Sequence, residues 1–427
     1  MKRTFLIHNL GCKVNHYEAQ AVASMLENRG WQRAEEGQPC SAVIIFTCCV
    51  TNTAAQKSRQ IMHRLKRLYP DAAMVMVGCY VQVAQDQLRD ADILVGSAEK
   101  DQIPDLLETW EKSHRKETAI QDADSITSFT DLPVDAFEDT TRAFLKVQDG
   151  CNQFCTYCII PYARGRQRSL APDIAIARAK QLNVHHHELV LAGIHTGRYG
   201  QEYGVSLADL IERLLKETSF QRIRISSIEI SEIDAHLISL LSNPRVARHL
   251  HIPLQSGSDG VLVRMGRPYT TEDYHAKISL LRESVPDLAI STDLMVGFPE
   301  ESEQEFQESK DFVKSCQFSF LHVFPYSLRQ GTRATSMKQV AEAVKKERAE
   351  TMLALSEEMY DAYKRSWIGR DAAVLMEKDH GSYTPGHASQ YFEVRVPGRI
   401  VRGSMHRVKI QRFEDHVLFG EIDDEAE

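Results

Sequence analysis

The chain has 427 residues, 43% hydrophobic and 26% charged, with 51 lysines and arginines against 59 aspartates and glutamates, a formal charge of −8. That length suits about three domains, and the composition suits globular units with buried cores. It excludes a uniformly basic nucleic-acid binder but not a local basic patch, and with no run of about 18 apolar residues it offers no membrane-spanning helix.

The amino terminus starts with a basic pair but has neither a sustained apolar stretch nor a small-residue cleavage site, so it reads as a strand and not a signal peptide. The expected location is the cytoplasm, with no membrane partner. Residues 4–9 (TFLIHN) form the first predicted strand, which ends at Leu10-Gly11-Cys12. A helix follows over 16–29, with Ala21, Val22, Met25 and Leu26 on one face. Strands at 42–47 and 73–78 end at Cys48-Cys49 and Cys79, and a helix at 53–68 lies between them. A short strand in ADILVG and a helix near 99–116 complete the pattern. Strand and helix alternate, which predicts an amino-terminal parallel α/β domain over 1–118.

Residues 119–141 lose periodicity and read as a linker. A second alternation has strands at 143–147, 189–192, 222–227, 249–254, 289–295 and 320–325. Six βα units are fewer than the eight of a closed barrel, so a partial, open (β/α)6 barrel is expected over 142–366, with a charged helix at 338–366. From Trp367 short strands and turns predict a small all-β module, 367–427. The acidic tail DDEAE reads as frayed.

Nine cysteines in a cytosolic chain call for an explanation other than disulfides. Cys151, Cys155 and Cys158 form C-N-Q-F-C-T-Y-C just after the first barrel strand. Thiolates at this density bind soft metals. A structural zinc site needs a fourth ligand, and none follows nearby. Three suit an iron–sulfur cluster with one iron left open. Cys12, Cys48 and Cys79 each follow a predicted strand, and parallel strands share one carboxyl edge, where ligands bind. They read either as a second cluster site or as three packed small hydrophobes. Cys49 should point away from Cys48 if the strand continues. Cys40 and Cys316 read as structural.

These motifs bear a family resemblance. The CxxxCxxC loop resembles the signature of radical S-adenosylmethionine (SAM) enzymes. The preceding domain, with Leu10-Gly11-Cys12-Lys13-Val14-Asn15, is similar to the amino-terminal domain of methylthiotransferases, and the last module resembles their TRAM RNA-binding domain. Within that family, GCKVNHYE, GCNQFCTYCIIPYARG, ISSIE and HIPLQSGS resemble the branch that converts N6-threonylcarbamoyladenosine at tRNA position 37 to its 2-methylthio form. Sister enzymes act on isopentenyladenosine in tRNA or on a ribosomal-protein aspartate. One departure is Phe46-Thr47-Cys48, where the family usually has Asn-Thr-Cys.

The resemblance implies two 4Fe–4S clusters and SAM. Cys151, Cys155 and Cys158 would bind the cluster that reduces SAM, and Cys12, Cys48 and Cys79 the cluster that holds the sulfur to be inserted. It also implies tRNA, an electron donor and a sulfur source as partners. Gly193, ending the second barrel strand, would pack its backbone against the methionine part of SAM. Ser227, Glu229 and Gln255 follow the third and fourth strands as candidate ribose or amine contacts, against ordinary loop polarity; Asp293 and Gly297-Phe298-Pro299 are weighed alongside them.

The candidate RNA contacts are Arg395, Arg399, Arg402, Arg407, Lys409 and Arg412, a stretch free of acids. Tyr383, Tyr391 and Phe392 are candidates for base stacking or for core packing. Arg164, Arg166 and Arg168 form a second basic cluster. The third, Lys57, Arg59, Arg64, Lys66 and Arg67, reads rather as a solvated helix face. His185-His186-His187 reads as an exposed helix end. The rival from another class is a non-catalytic iron–sulfur or zinc RNA-binding protein.

Overall fold

The computed structural model describes residues 3–423, so most of the acidic tail lies outside the described residues. The amino-terminal part comprises β1 (Thr4–Asn9), α1 (Lys13–Asn28), β2 (Gln32–Arg33), β3 (Ala42–Thr47), α2 (Asn52–Leu68), β4 (Ala73–Gly78), α3 (Cys79–Ala84), β5 (Ile93–Val95), α4 (Ile103–Ser113) and β6 (Glu117–Ala119). Its strands pair in the order β2-β1-β3-β4-β5-β6, all parallel. β3 and β4 are buried along their whole length, as a central strand covered on both faces must be. Asn9 pairs with Phe46 and Thr47 with Gly78, so the carboxyl ends of β1, β3 and β4 lie level. Chain direction across the sheet reverses between β1 and β3, the place where open α/β sheets bind ligands.

The second part runs through β7 (Ala143–Lys146), β8 (Gln148–Asp149), α5 (Ile160–Arg164), β9 (Arg168–Ser169), α6 (Pro172–Asn183), β10 (Glu188–Ala192), α7 (Leu207–Glu217), β11 (Arg222–Ile225), α8 (Ala235–Leu241), β12 (His249–His251), α9 (Asp259–Met265), α10 (Thr271–Ser284), β13 (Ala289–Val296), α11 (Glu303–Cys316), β14 (Phe320–Pro325) and α12 (Glu342–Arg365). The six long-predicted strands form two parallel sheets, β11-β10-β7 and β12-β13-β14. Ala247 N to Ile223 O (2.9 Å) and Ile228 N to His251 O (3.0 Å) join them into an open barrel. Capping boxes at Ser206/Asp209, Thr270/Asp273 and Ser302/Glu305 start three of its helices.

β15 (Asp371–Met376), β16 (Tyr383–Ala388), β17 (Glu393–Pro397), β18 (Met405–Glu414) and β19 (Val417–Ile422) close into a small barrel, which leaves no free sheet edge. Among the described residues no helix is long and apolar enough to cross a membrane.

The irregular segment between β6 and β7 buries Leu132, Val134 and Phe137 in the same core as Tyr17 of α1 and Leu145 of β7. His186 departs from the sequence expectation. It is buried, and its Nε2 accepts from the Phe137 amide at 3.0 Å, while His185 and His187 are exposed. A single buried ring in a polar run leaves no periodic trace.

Candidate active site

Level strand ends bring Cys12, Cys48 and Cys79 onto one edge. Cys12 interacts electrostatically with Cys79, and Cys48 with both. Burial raises the Cys12 thiol and pushes Cys48 up to about 11. Cys79 is held at about 6, chiefly by a hydrogen bond with Cys49, against burial and with help from Arg164. Cys49 therefore turns toward Cys79. β3 ends at Thr47, so strand alternation no longer governs residues 48 and 49. Phe46 is buried in the apolar core.

Beside this set lies a buried ionic cluster. Arg164 donates to Glu18 Oε1 (3.0 Å), Asp149 Oδ1 (3.1 Å), Asn15 Oδ1 (2.7 Å) and, through Nε, Cys79 Sγ (3.2 Å). Lys100, Lys146 and Arg168 reach the same two carboxylates, so four buried cations face Glu18 and Asp149. Arg164 and Arg168 are thus not a phosphate-facing patch, and only Arg166 of that trio is exposed. Their charges face carboxylates brought in from α1 and β8. The excess positive charge suits anionic sulfur ligands, because metal-bound thiols are deprotonated.

The second set sits in the loop after β8. Gly150 has φ +70, and a Cβ there would lie 2.0 Å from Arg166 O. This close turn lets Cys151 N donate to Gly165 O at 3.1 Å. Thr156 N donates to Met265 O at 2.9 Å and Thr156 Oγ1 to Arg264 O at 2.8 Å, tying the loop to α9. Cys158 and Cys155 interact electrostatically with one another and with Cys151. Burial pushes the Cys158 thiol up to about 12. Arg267 Nη1 lies 3.5 Å from Cys155 Sγ, and His195 Nδ1 lies 3.4 Å from Cys151 Sγ. The His195 ring pairs with Glu232 at 2.7 Å and is raised to about 10, its bonds to Cys151 and Glu232 outweighing burial. Cationic partners on two of three thiols, with a single cysteine trio, fit a cluster that keeps one iron for a non-protein ligand.

Between the modules lies a cavity of about 520 Å³. Cys12 and Lys13 line it from the amino-terminal part; Gly193, Ser227 and Asp293 from the barrel; Tyr391 from the last module. Gly193 has no room for a side chain, since a Cβ would meet Thr196 Oγ1 at 2.9 Å and Gln148 Cβ at 3.0 Å. Glu229 is engaged by Arg267 and so acts on the Cys155 loop through that arginine. Gln255 has φ +67 and an unpartnered buried Oε1. Sequence reasoning missed Lys13, the ring set His249, His251 and His322, Arg267 and His195. Only the paired histidines of β12 left a visible signal.

The candidate RNA contacts lie on or beside the small barrel. Arg395 sits over the Tyr383 ring (4.7 Å), Arg399 by Asp379 (3.6 Å), Arg407 by Asp371 (2.6 Å) and Arg412 by Glu414 (3.4 Å). Arg402 bonds Thr141 Oγ1 (3.2 Å) and Glu138 O (3.1 Å). Lys409 is exposed and has no ion-pair partner among the described residues. Phe392 is core, and Tyr391 faces the cavity.

Residues 4–96 match the Uncharacterized protein family UPF0004, and residues 145–313 match the radical SAM superfamily. With the open barrel and its cysteine loop, the second match defines a radical SAM protein. The radical S-adenosylmethionine methyltransferase TsrM of Kitasatospora setae shares the fold, with a TM-score of 0.58 at 13% identity over 78% of this chain and 74% of that one. The threonylcarbamoyladenosine tRNA methylthiotransferase MtaB of Bacillus subtilis is 38% identical over 421 residues, 95% of this chain and 93% of the relative. The tRNA-2-methylthio-N(6)-dimethylallyladenosine synthase of Moorella thermoacetica is 31% identical and covers 99% of each chain. The chain belongs to the tRNA methylthiotransferase family.

Proposed function

We propose that the protein methylthiolates carbon 2 of N6-threonylcarbamoyladenosine at position 37 of tRNA. The observation that supports this most is the shared cavity: Cys12 opens onto the space that Gly193 and Ser227 line from the barrel. Cys151, Cys155 and Cys158 would hold the SAM-binding 4Fe–4S cluster, and Cys12, Cys48 and Cys79 the second. When bound, these groups supply the one-electron reduction of SAM and the sulfur to be transferred. The chain's own residues position and shield. Gly193 leaves space for SAM, Ser227 and Gln255 offer polar contacts to it, and Glu229 orients Arg267 against Cys155. Walls from three modules hold base and SAM in one frame. Residues 1–118, 142–366 and 367–427 act as cluster, SAM and RNA modules, with 119–141 joining the first two. Arg395, Arg399, Arg402, Arg407, Lys409 and Arg412 belong to the RNA-facing module. The reaction requires an electron donor and a sulfur source, and its tRNA substrate sets it in the cytoplasm.

Nucleoside mass spectrometry of tRNA from a deletion strain tests the reading: the 2-methylthio-threonylcarbamoyl nucleoside should disappear, and unchanged levels overturn it. Anaerobic reconstitution should give about eight irons per chain. Cys155→Ala should abolish SAM cleavage. Cys79→Ala should retain some cleavage and lose sulfur insertion. Thiolation by both variants would sink the two-cluster assignment.

A further inference from the structure

Lys13, Tyr391, His249 and His322 gather at one end of the cavity. This end adjoins a second cavity of about 270 Å³ lined by the same two histidines and Tyr391 together with Gln390.

Charges near this end are nearly all satisfied. Arg224 binds Glu188 and the carbonyls of Ser389 and Ala388. Arg142 binds Glu377, and Asp293 is paired with His251 at 3.2 Å. Lys13 is the exception: its side chain is exposed into the cavity, and no carboxylate pairs with it among the described residues. Two further polar atoms here lack partners, the buried His249 Nδ1 and Gln390 Oε1.

The wall opposite is held at a cost. Tyr391 has φ +73, a left-handed conformation that a bulky residue rarely adopts. Its ring stacks on His249 at 4.8 Å between centroids and 16° between planes, with the Arg224 guanidinium 5.0 Å from its centre. Strain retained at a cavity wall points to a shape needed by a ligand.

We propose that this end of the cavity binds the amino-acid part of the N6 substituent on the target adenosine, with the Lys13 ammonium pairing its carboxylate and Tyr391 forming the facing wall. The inference rests on the function proposed above. Its hydroxyl and ureido N–H groups are donors, and Gln390 Oε1 is an unanswered acceptor. An all-hydrocarbon substituent would cover the lysine and leave it without a partner. Lys13 is thus a specificity-determining residue contributed by the amino-terminal module.

The test uses the cluster-loaded full chain and competition binding of anticodon stem-loop RNAs. These carry threonylcarbamoyladenosine, its carboxylate methyl ester, or isopentenyladenosine. Wild-type protein should bind the acid at least about tenfold more tightly than the ester, as expected for a charge-assisted bond. Lys13→Gln should lose that preference and Lys13→Arg retain it, at unchanged iron content. Equal wild-type binding of acid and ester, or a full preference kept by Lys13→Gln, overturns the pocket assignment. The ester comparison needs no variant, so it stands even if Lys13→Gln fails to fold. The two readings fail separately. Product formation on the threonylcarbamoyl RNA with no acid preference removes only the pocket, whereas methylthiolation of the isopentenyl RNA in its place removes the function.

Discussion

Arg164 shows how far a residue's surroundings can reverse its apparent role. In the sequence it stands in a basic run with Arg166 and Arg168, as a phosphate contact would. In the fold it is fully buried and satisfies Glu18 from 146 residues away and Asp149 from 15. No local pattern encodes such pairing. The two cysteine trios could be picked out as candidates because strand ends and a three-cysteine loop leave local marks. Breaking a buried ion pair from one side costs about 3–5 kcal/mol, and three other cations remain here to soften the loss. Arg164→Gln should therefore lower the urea stability of the cluster-free protein by about 3 kcal/mol. A loss no larger than that of a surface substitution would show that the arginine does not organise this cluster.

Among elements, β10 and β11 do more than build the barrel wall. Glu188 receives Arg222 (2.7 Å) and Arg224 (2.8 Å), and these arginines donate onward to the carbonyls of Ala373, His387, Ala388 and Ser389 in the last module. The strands themselves were readable in the sequence, and the strut was not, because its acceptors are backbone carbonyls of β15, β16 and the residue after β16, about 150 positions away. Burial alone would raise the Glu188 carboxyl, but the two arginines hold it at about 2. A depressed carboxylate contributes its stability in full above its unfolded value, about 4.3, and loses it as pH falls toward the folded value. Hydrogen-exchange protection of the cluster-free protein over residues 371–422, with the intrinsic pH dependence of amide exchange divided out, should be flat from about pH 7 to 5 and fall between about pH 4.5 and 2. Glu188→Gln leaves two buried arginines undercompensated and should speed that exchange already at pH 7. Unchanged exchange in the variant would mean that the module docks by other contacts.

At the scale of the whole molecule, the three modules were legible as changes of pattern: alternation, a lapse, alternation again, then short strands. Their interlocking was not legible, since Lys13 and Tyr391 meet across one cavity from near opposite ends of the chain. On the proposed function, this interlocking would separate two tasks that a composition argument merges, gripping RNA and reading one nucleoside. On β18, Val408 and Ile410 are buried, while Arg407 and Lys409 face outward. Most arginines of this module lie against nearby acids, which dilutes their field, whereas Lys409 has no ion-pair partner among the described residues. A free surface cation contributes mainly through counterion release, so each phosphate contact adds about 0.7–0.9 to the slope of log affinity against log salt. Lys409→Ala should reduce that slope by about one such contact. The loss should be equal for stem-loops with and without the threonylcarbamoyl group, because a phosphate contact is blind to the base. If the loss instead appears only with the modified nucleoside, Lys409 reaches the base, and the division between gripping and reading must be redrawn.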